Sequence, residues 1–236
     1  MPLMSMDFYQ NCDTKLDHIY GYSAAMQKPE IALSDSEKLA NYVRSLLDFE
    51  MYQTIDGNYD HIGATVADAV LQANMRYETH VKPRIHRILA EYSRARTTSS
   101  VLHLLKTIPA TEFLSWRGED RAARFFQILD LFASHGIETE TDLRAWLLQE
   151  KNLLKLRAIK GIGPKTVDYF KILVGFSTSA IDRHLINFLK LAGLTPGNYD
   201  EIQAVINATA DLLCVDRAYF DHSIWQFMSQ KAAVKK

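Results

Sequence analysis

The sequence predicts an all-α protein. Apolar residues recur at i, i+3, i+4 and i+7 along most of the chain, strand-like alternation is scarce, and short connections are punctuated by Gly, Pro or capping residues. With 236 residues, 47% of them hydrophobic, the chain can bury a core as one domain or two small ones. No tether of low complexity and no internal repeat is present, so a domain boundary would be a cleft between helical layers.

The first helix is announced by Ser34-Asp35-Ser36-Glu37, a capping signal ahead of Leu39, Tyr42, Val43 and Leu46 at amphipathic spacing. Further helices are expected at 64–75, 79–93, 98–106, 110–115, 119–135, 141–149, 151–159, 164–174, 182–192, 199–214 and 217–230. Ser134-His135-Gly136 and Thr195-Pro196-Gly197-Asn198 are typical of the breaks between them. In the last helix Phe220, Ile224 and Phe227 mark an aromatic core face.

Composition excludes several classes. Cys12 and Cys214 stand far apart, in no spacing that suits a disulfide framework or a cysteine metal cluster, which points to a reducing, intracellular home. The N-terminus lacks the basic and apolar regions of a signal peptide, and no stretch is long enough to cross a bilayer, so a soluble protein without a membrane partner is expected. The net charge of -1 hides an asymmetry: residues 1–70 hold 4 Lys/Arg against 11 Asp/Glu, residues 71–190 hold 19 against 12, and residues 191–236 hold 4 against 5. Arg76, Lys82, Arg84, Arg87, Arg94 and Arg96 form one basic group, and Lys151, Lys155, Arg157, Lys160 and Lys165 another. Either they track phosphates or they are ordinary solvated helix faces.

The stretch Leu156 to His184 carries the chemistry. Gly161 and Gly163 allow a tight turn, Pro164 suits the first helical position, and Gly175 is the C-terminal stop. Turn and helix N-terminus together attract a phosphate. At ~100° per residue from Lys165, the apolar Val167, Phe170 and Val174 fall about 200°, 140° and 180° away, so Lys165 points away from its own helix's core. It stands in the first turn, where the helix dipole disfavours an ammonium and favours the neutral amine that a nucleophile must be. The alternative is a point charge for backbone phosphate, or a surface pair with Asp168 at i+3. Asp182 precedes Leu185, Phe188, Leu189 and Ala192 and is placed as a helix N-cap, which would keep its carboxylate ionised. A fixed anion can stabilise an oxocarbenium-like sugar, although most such aspartates only cap.

Leu156, the run Ile159-Lys160-Gly161-Ile162-Gly163-Pro164-Lys165-Thr166, and then Ala180-Ile181-Asp182-Arg183-His184 resemble the helix–hairpin–helix DNA glycosylase superfamily. Its pattern is Leu-Pro-Gly-Val-Gly-x-Lys-Thr-Ala followed by Val-Asp-x-His, and endonuclease III and the 8-oxoguanine glycosylases are similar members. The resemblance is specific over residues 151–190 and weaker but collinear from about 62 to 150. It implies two helical domains with a cleft between them: a contiguous barrel, 62–176, carrying the hairpin, and a second domain, 1–61 with 177–236, carrying the aspartate.

By the same resemblance Lys165 falls on the Schiff-base lysine and Asp182 on the essential aspartate, while Lys160, Gly161, Ile162 and Gly163 form the hairpin that grips DNA phosphate. Asn74, with Arg76 beside it, matches the helix end that enters the gap left by an extruded nucleotide; an Asn at a helix C-terminus reads equally well as a cap. Asp68 sits where adenine-excising relatives place an acid, or it is an exposed helix aspartate. Tyr77, Trp116 and Arg117 are base-pocket candidates by residue type. His184 fits a hydrogen-bonded structural role better than proton transfer.

Lys160, Pro164 and Asn187 depart from the pattern, where a proline, a basic residue and an arginine are usual. The stretch Asp200 to Gln230 has no four-cysteine iron–sulfur loop. The implied function is base-excision repair by a glycosylase with β-elimination (abasic-site lyase) activity, acting as a monomer on double-stranded DNA that carries a damaged or modified base, in the cytoplasm or on the nucleoid. It requires no redox cofactor or catalytic metal; a monovalent cation at the hairpin carbonyls is compatible. A monofunctional glycosylase using water, or a non-catalytic DNA-binding or damage-sensing protein on the same scaffold, are the alternatives.

Overall fold

The computed structural model describes residues 33–234, and among them it contains twelve α-helices, one π-helical turn and no strand. They are α1 (Asp35–Ser45), α2 (Ile62–Leu71), the π turn Tyr77–Val81 running into α3 (Lys82–Glu91), α4 (Thr98–Leu104), α5 (Ala110–Phe113), α6 (Glu119–Ser134), α7 (Glu140–Leu147), α8 (Glu150–Arg157), α9 (Pro164–Leu173), α10 (Arg183–Leu191), α11 (Tyr199–Leu212) and α12 (Arg217–Val234). The all-α expectation holds. Cys12 and the N-terminal stretch MPLMSMDFYQNCD lie outside the described residues.

The chain divides into two compact units: residues up to Met51 with His184–Lys236, and Tyr52–Arg183. Asp182 therefore shares a unit with Lys165.

In the first unit α1 begins with the expected capping box, Ser34 and Glu37 each satisfying the other's backbone N–H. It packs against α11, and α11 against α12. Phe49 gathers the core rings, lying 5.6 Å from Phe188, 5.3 Å from Phe227 and 6.3 Å from Phe220 between centroids. Phe220, Ile224 and Phe227 are buried as their spacing predicts. Cys214, just past α11, is disulfide-bonded. That overturns the expectation that the cysteine spacing offers no disulfide, and with it the cysteine argument for a reducing compartment.

In the second unit α2 is the axis. All its residues from Ile62 to Leu71 are buried, as befits a helix that is apolar nearly all round, and α3, α4, α6 and α9 pack on it. Its N-terminus is capped by the His61 ring, whose Nδ1 accepts from the Ala64 N–H. Stacked rings continue the core from Tyr92 through Phe113 to Phe125, and Phe132 meets Phe170 of α9 edge-on. The helix expected at 64–75 stops at Leu71, because Gln72 caps it and Asn74 turns left-handed at φ +57. Asn74 is left-handed, but it lies two residues past the cap, in the loop, and does not itself cap the helix.

Candidate functional site

The hairpin joins α8 to α9. Leu156 and Ile162 are buried on either side of it, and the Ile162 N–H closes the turn on Ile159 O at 3.0 Å. That N–H is consequently spent, and the side chain serves the core. Gly161 has φ +86, and a methyl group there would also run into the Arg124 guanidinium, whose Nε donates to Lys160 O at 2.9 Å. Gly163 differs. It is the N-cap of α9 with φ -102, which any residue adopts, and a Cβ would meet nothing within 4 Å. Among the described residues no acceptor takes the N–H of Gly161 or Gly163. Lys160 is exposed beside them.

Pro164 occupies the first position of α9, and Val167, Phe170 and Val174 are buried, which leaves Lys165 on the opposite side as the periodicity predicts. Its Nζ donates to Gln72 Oε1 at 2.7 Å and lies 3.9 Å from Asp182 Oδ2, with side-chain exposures of 31% and 14% for lysine and aspartate. Asp168, the i+3 acid, is buried and bonds Lys171 at 2.9 Å. The structure therefore brings together the two residues singled out for chemistry, and gives the amine a neutral amide as its nearest partner. Asp182 stands immediately before α10, after the buried Ala180 and Ile181.

Gln72 and Asp68 lie one helical turn apart on α2, and Lys165 and Tyr169 one turn apart on α9. Gln72 meets Lys165 and Asp68 meets Tyr169, so the helices run antiparallel here and present their polar residues to each other. Asp68 is fully buried, not an exposed helix aspartate. Its carboxylate accepts from Tyr59 at 2.6 Å, Tyr77 at 2.9 Å and Tyr169 at 3.1 Å. Burial pushes its pKa up to about 6 against the pull of these three hydroxyls. The same burial, with the nearby negative charge, drives the three phenols far above their ordinary range. Tyr77 belongs to the π turn, a distortion often found where a helix must aim a functional side chain.

Trp116 goes elsewhere. Arg121 lies 4.5 Å and Arg84 5.3 Å from its ring, and Arg121 Nη2 donates to Ala73 O at 2.6 Å, which ties the indole to the loop after α2 that holds Asn74. Asn74, Arg76 and Arg117 are exposed. Of the first basic group, Lys82 pairs with Asp56, Arg87 with Glu91 and Arg96 with Asp60, while Arg84 donates to Ser115 O, so these four cations have partners inside the protein. Lys151, Arg157 and Lys160 on the hairpin side are exposed. His184 meets Trp225 edge-on at 5.9 Å.

Sequence reasoning missed Gln72, Tyr59 and Tyr169. One signal was available: an acid inside an otherwise apolar ten-residue helix must find donors, and the neighbouring tyrosines are the donors at hand. Five side-chain donors among the described residues are buried without a partner, Gln72 Nε2 and Arg121 Nη1 here and Arg87 Nε, Thr98 Oγ1 and Trp146 Nε1 elsewhere; each costs about 1–3 kcal/mol unless a ligand or water meets it. No trio of His, Cys, Asp or Glu among the described residues is placed to hold a metal, and no described helix is long and apolar enough to cross a membrane.

The fold and this cluster define an all-helical protein with a lysine–aspartate pair beside a glycine hairpin. Residues 37–229 match the family described as a domain of unknown function, DUF8548, and the chain belongs to that family. No curated protein and no solved structure matches it.

Proposed function

We propose that the protein is a DNA glycosylase with lyase activity, excising a damaged or modified base from double-stranded DNA. The observation that carries this reading is the approach of Lys165 Nζ to Asp182 Oδ2, 3.9 Å, on a helix that opens from the Gly161–Gly163 turn. The turn's unspent N–H groups and the N-terminus of α9 would hold a phosphate, setting the adjoining sugar against the amine. Gly163 supports this: nothing inside the protein requires a glycine there, whereas close approach of a phosphate would.

In the reaction Asp182 stabilises positive charge developing on the sugar as the C1′–N bond lengthens. The neutral Lys165 amine forms a bond to C1′ and the base departs with the glycosidic electron pair, taking up a proton. Loss of a proton from nitrogen and opening of the sugar ring give the Schiff base, whose iminium acidifies C2′–H. Removal of that proton breaks the C3′–O bond and leaves a 5′-phosphate on the downstream strand. A base in a duplex is out of reach, so it must first leave the stack; the Asn74 loop is the segment offered to the gap. The reaction needs no metal or redox cofactor, and a monovalent cation at the hairpin carbonyls is compatible with it. Lys151, Arg157 and Lys160 supply the local positive surface, and the protein acts as a monomer inside the cell.

Borohydride trapping on a panel of modified and abasic duplexes tests the reading. A covalent complex that disappears in Lys165→Ala supports it. Base release without trapping assigns water as the nucleophile, and duplex binding with neither product assigns a non-catalytic DNA-binding or damage-sensing protein.

A further inference from the structure

The reaction places one demand on Lys165 that its own helix cannot meet. A lysine tip on four flexible methylenes must be held at one point while remaining able to lose its proton. A carboxylate in direct contact would hold the nitrogen but keep it charged. In this structure Asp182, the charged group facing the amine from the segment before α10, stands back at 3.9 Å, and the direct contact, at 2.7 Å, comes from the neutral amide of Gln72. The other acids near α9 are engaged: Asp168 with Lys171, Asp68 with three tyrosines. An amide suits both states of the amine, offering Oε1 to the ammonium and, after rotation, an N–H to the neutral lone pair. Gln72 is itself fixed, because it caps α2 with its backbone N–H on Asp68 O. Its Nε2 is buried and has no partner, so one donor of the residue that touches the amine awaits an acceptor.

We propose that Gln72 is the positioning residue for Lys165, its Oε1 holding the amine beside Asp182 and its Nε2 donating to an oxygen or nitrogen acceptor of the nucleotide bound there. The proposal rests on the glycosylase–lyase reading for its ligand, but the Gln72–Lys165 relation can be read without DNA.

Two variants separate the roles. Gln72→Leu removes both amide atoms; its single-turnover trapping rate on an abasic duplex should fall by about 100-fold, the scale of a misplaced reacting group. Gln72→Glu keeps the oxygen but puts a carboxylate against the amine. The pH midpoint of trapping should rise by about one to three units, the rate approaching wild type above it. Loss of the Nε2 donor should also raise the KM for base-containing duplex. Variants that trap as wild type does at every pH, or a Gln72→Glu profile that falls uniformly without moving, would overturn the proposal. If no duplex traps with the wild type, the lyase reading fails, and reductive methylation of the free protein, mapped by mass spectrometry, still decides: the labelling midpoint of Lys165 should move up in Gln72→Glu while that of Lys160 stays. An unmoved Lys165 midpoint overturns it. Should Gln72→Leu fail to fold by near-ultraviolet dichroism, the near-isosteric Gln72→Glu carries the test.

Discussion

Two lysine–aspartate pairs share α9 and differ in kind. Lys171 and Asp168, three residues apart on one helix, close to 2.9 Å on a buried carboxylate. Lys165 and Asp182, separated by a loop, stop at 3.9 Å, and the lysine rests on an amide instead. A closed pair has used its charges on each other, and breaking it strands a buried ion. In the open pair the amine's direct contact is with a neutral amide, and the aspartate lies farther from it than in the closed pair. The difference is the basis on which the proposed function assigns Lys165 to chemistry and Lys171 to the fold.

The largest expected effect breaks the symmetry outright. Lys165→Ala should remove borohydride trapping with little loss of stability, whereas Lys171→Ala should keep trapping and lose about 1–3 kcal/mol in urea unfolding. The acids should divide in the same way: Asp182→Asn lowers turnover by about 100- to 1000-fold while binding to a product-like abasic duplex changes little, and Asp168→Asn leaves turnover within a few-fold. Equal losses of rate and binding in Asp182→Asn would move that residue to the structural side.

The third acid facing α9, Asp68, sharpens the contrast through pH. Its folded pKa is raised from 3.8 to about 6, so the native state holds this proton more tightly than the unfolded chain. That contribution is fully present at low pH and is lost as pH rises from 3.8 through about 6, on the order of 3 kcal/mol at most. Asp68→Asn still accepts from the tyrosines but does not titrate, so urea midpoints measured across this range should lose that slope. Identical slopes in variant and wild type would place the carboxyl in a different environment.

Smaller effects distinguish the two hairpin glycines. Gly161→Ala should cost about 1–2 kcal/mol of stability, since φ is +86 and Arg124 covers the site. Gly163→Ala should leave stability unchanged and weaken duplex binding on the order of tenfold by blocking phosphate approach. A Gly163→Ala protein that binds normally would remove the hairpin from the interface. The smallest change is expected from Lys160→Ala, which should flatten the slope of log affinity against log salt by about 0.9.

Much of this organisation was legible in the order of residues. Helix starts at Ser34, Asn198 and Pro164 follow from side chains and rings that satisfy or dispense with local N–H groups, and the buried face of α9 follows from its period. The Gly161–Gly163 turn and its spacing to Asp182 likewise singled out the pair that the fold assembles. Trp116 was chosen by type alone and belongs to a different cluster, because nothing local says which side of a loop an indole will take.

By itself the sequence determined what neighbours within a few residues can settle: an all-helical chain, the starts at Ser34 and Pro164, and which residues of α9 face inward. Only the tertiary structure decided which polar groups meet across helices. Gln72 reaches Lys165, and Tyr59, Tyr77 and Tyr169 converge on Asp68, because antiparallel packing of α2 on α9 brings residues up to about a hundred positions apart within hydrogen-bond distance. Capping and periodicity act over one turn of helix. The protonation of a buried acid and the partner of a lysine depend on desolvation and on contacts that exist only once the core has closed.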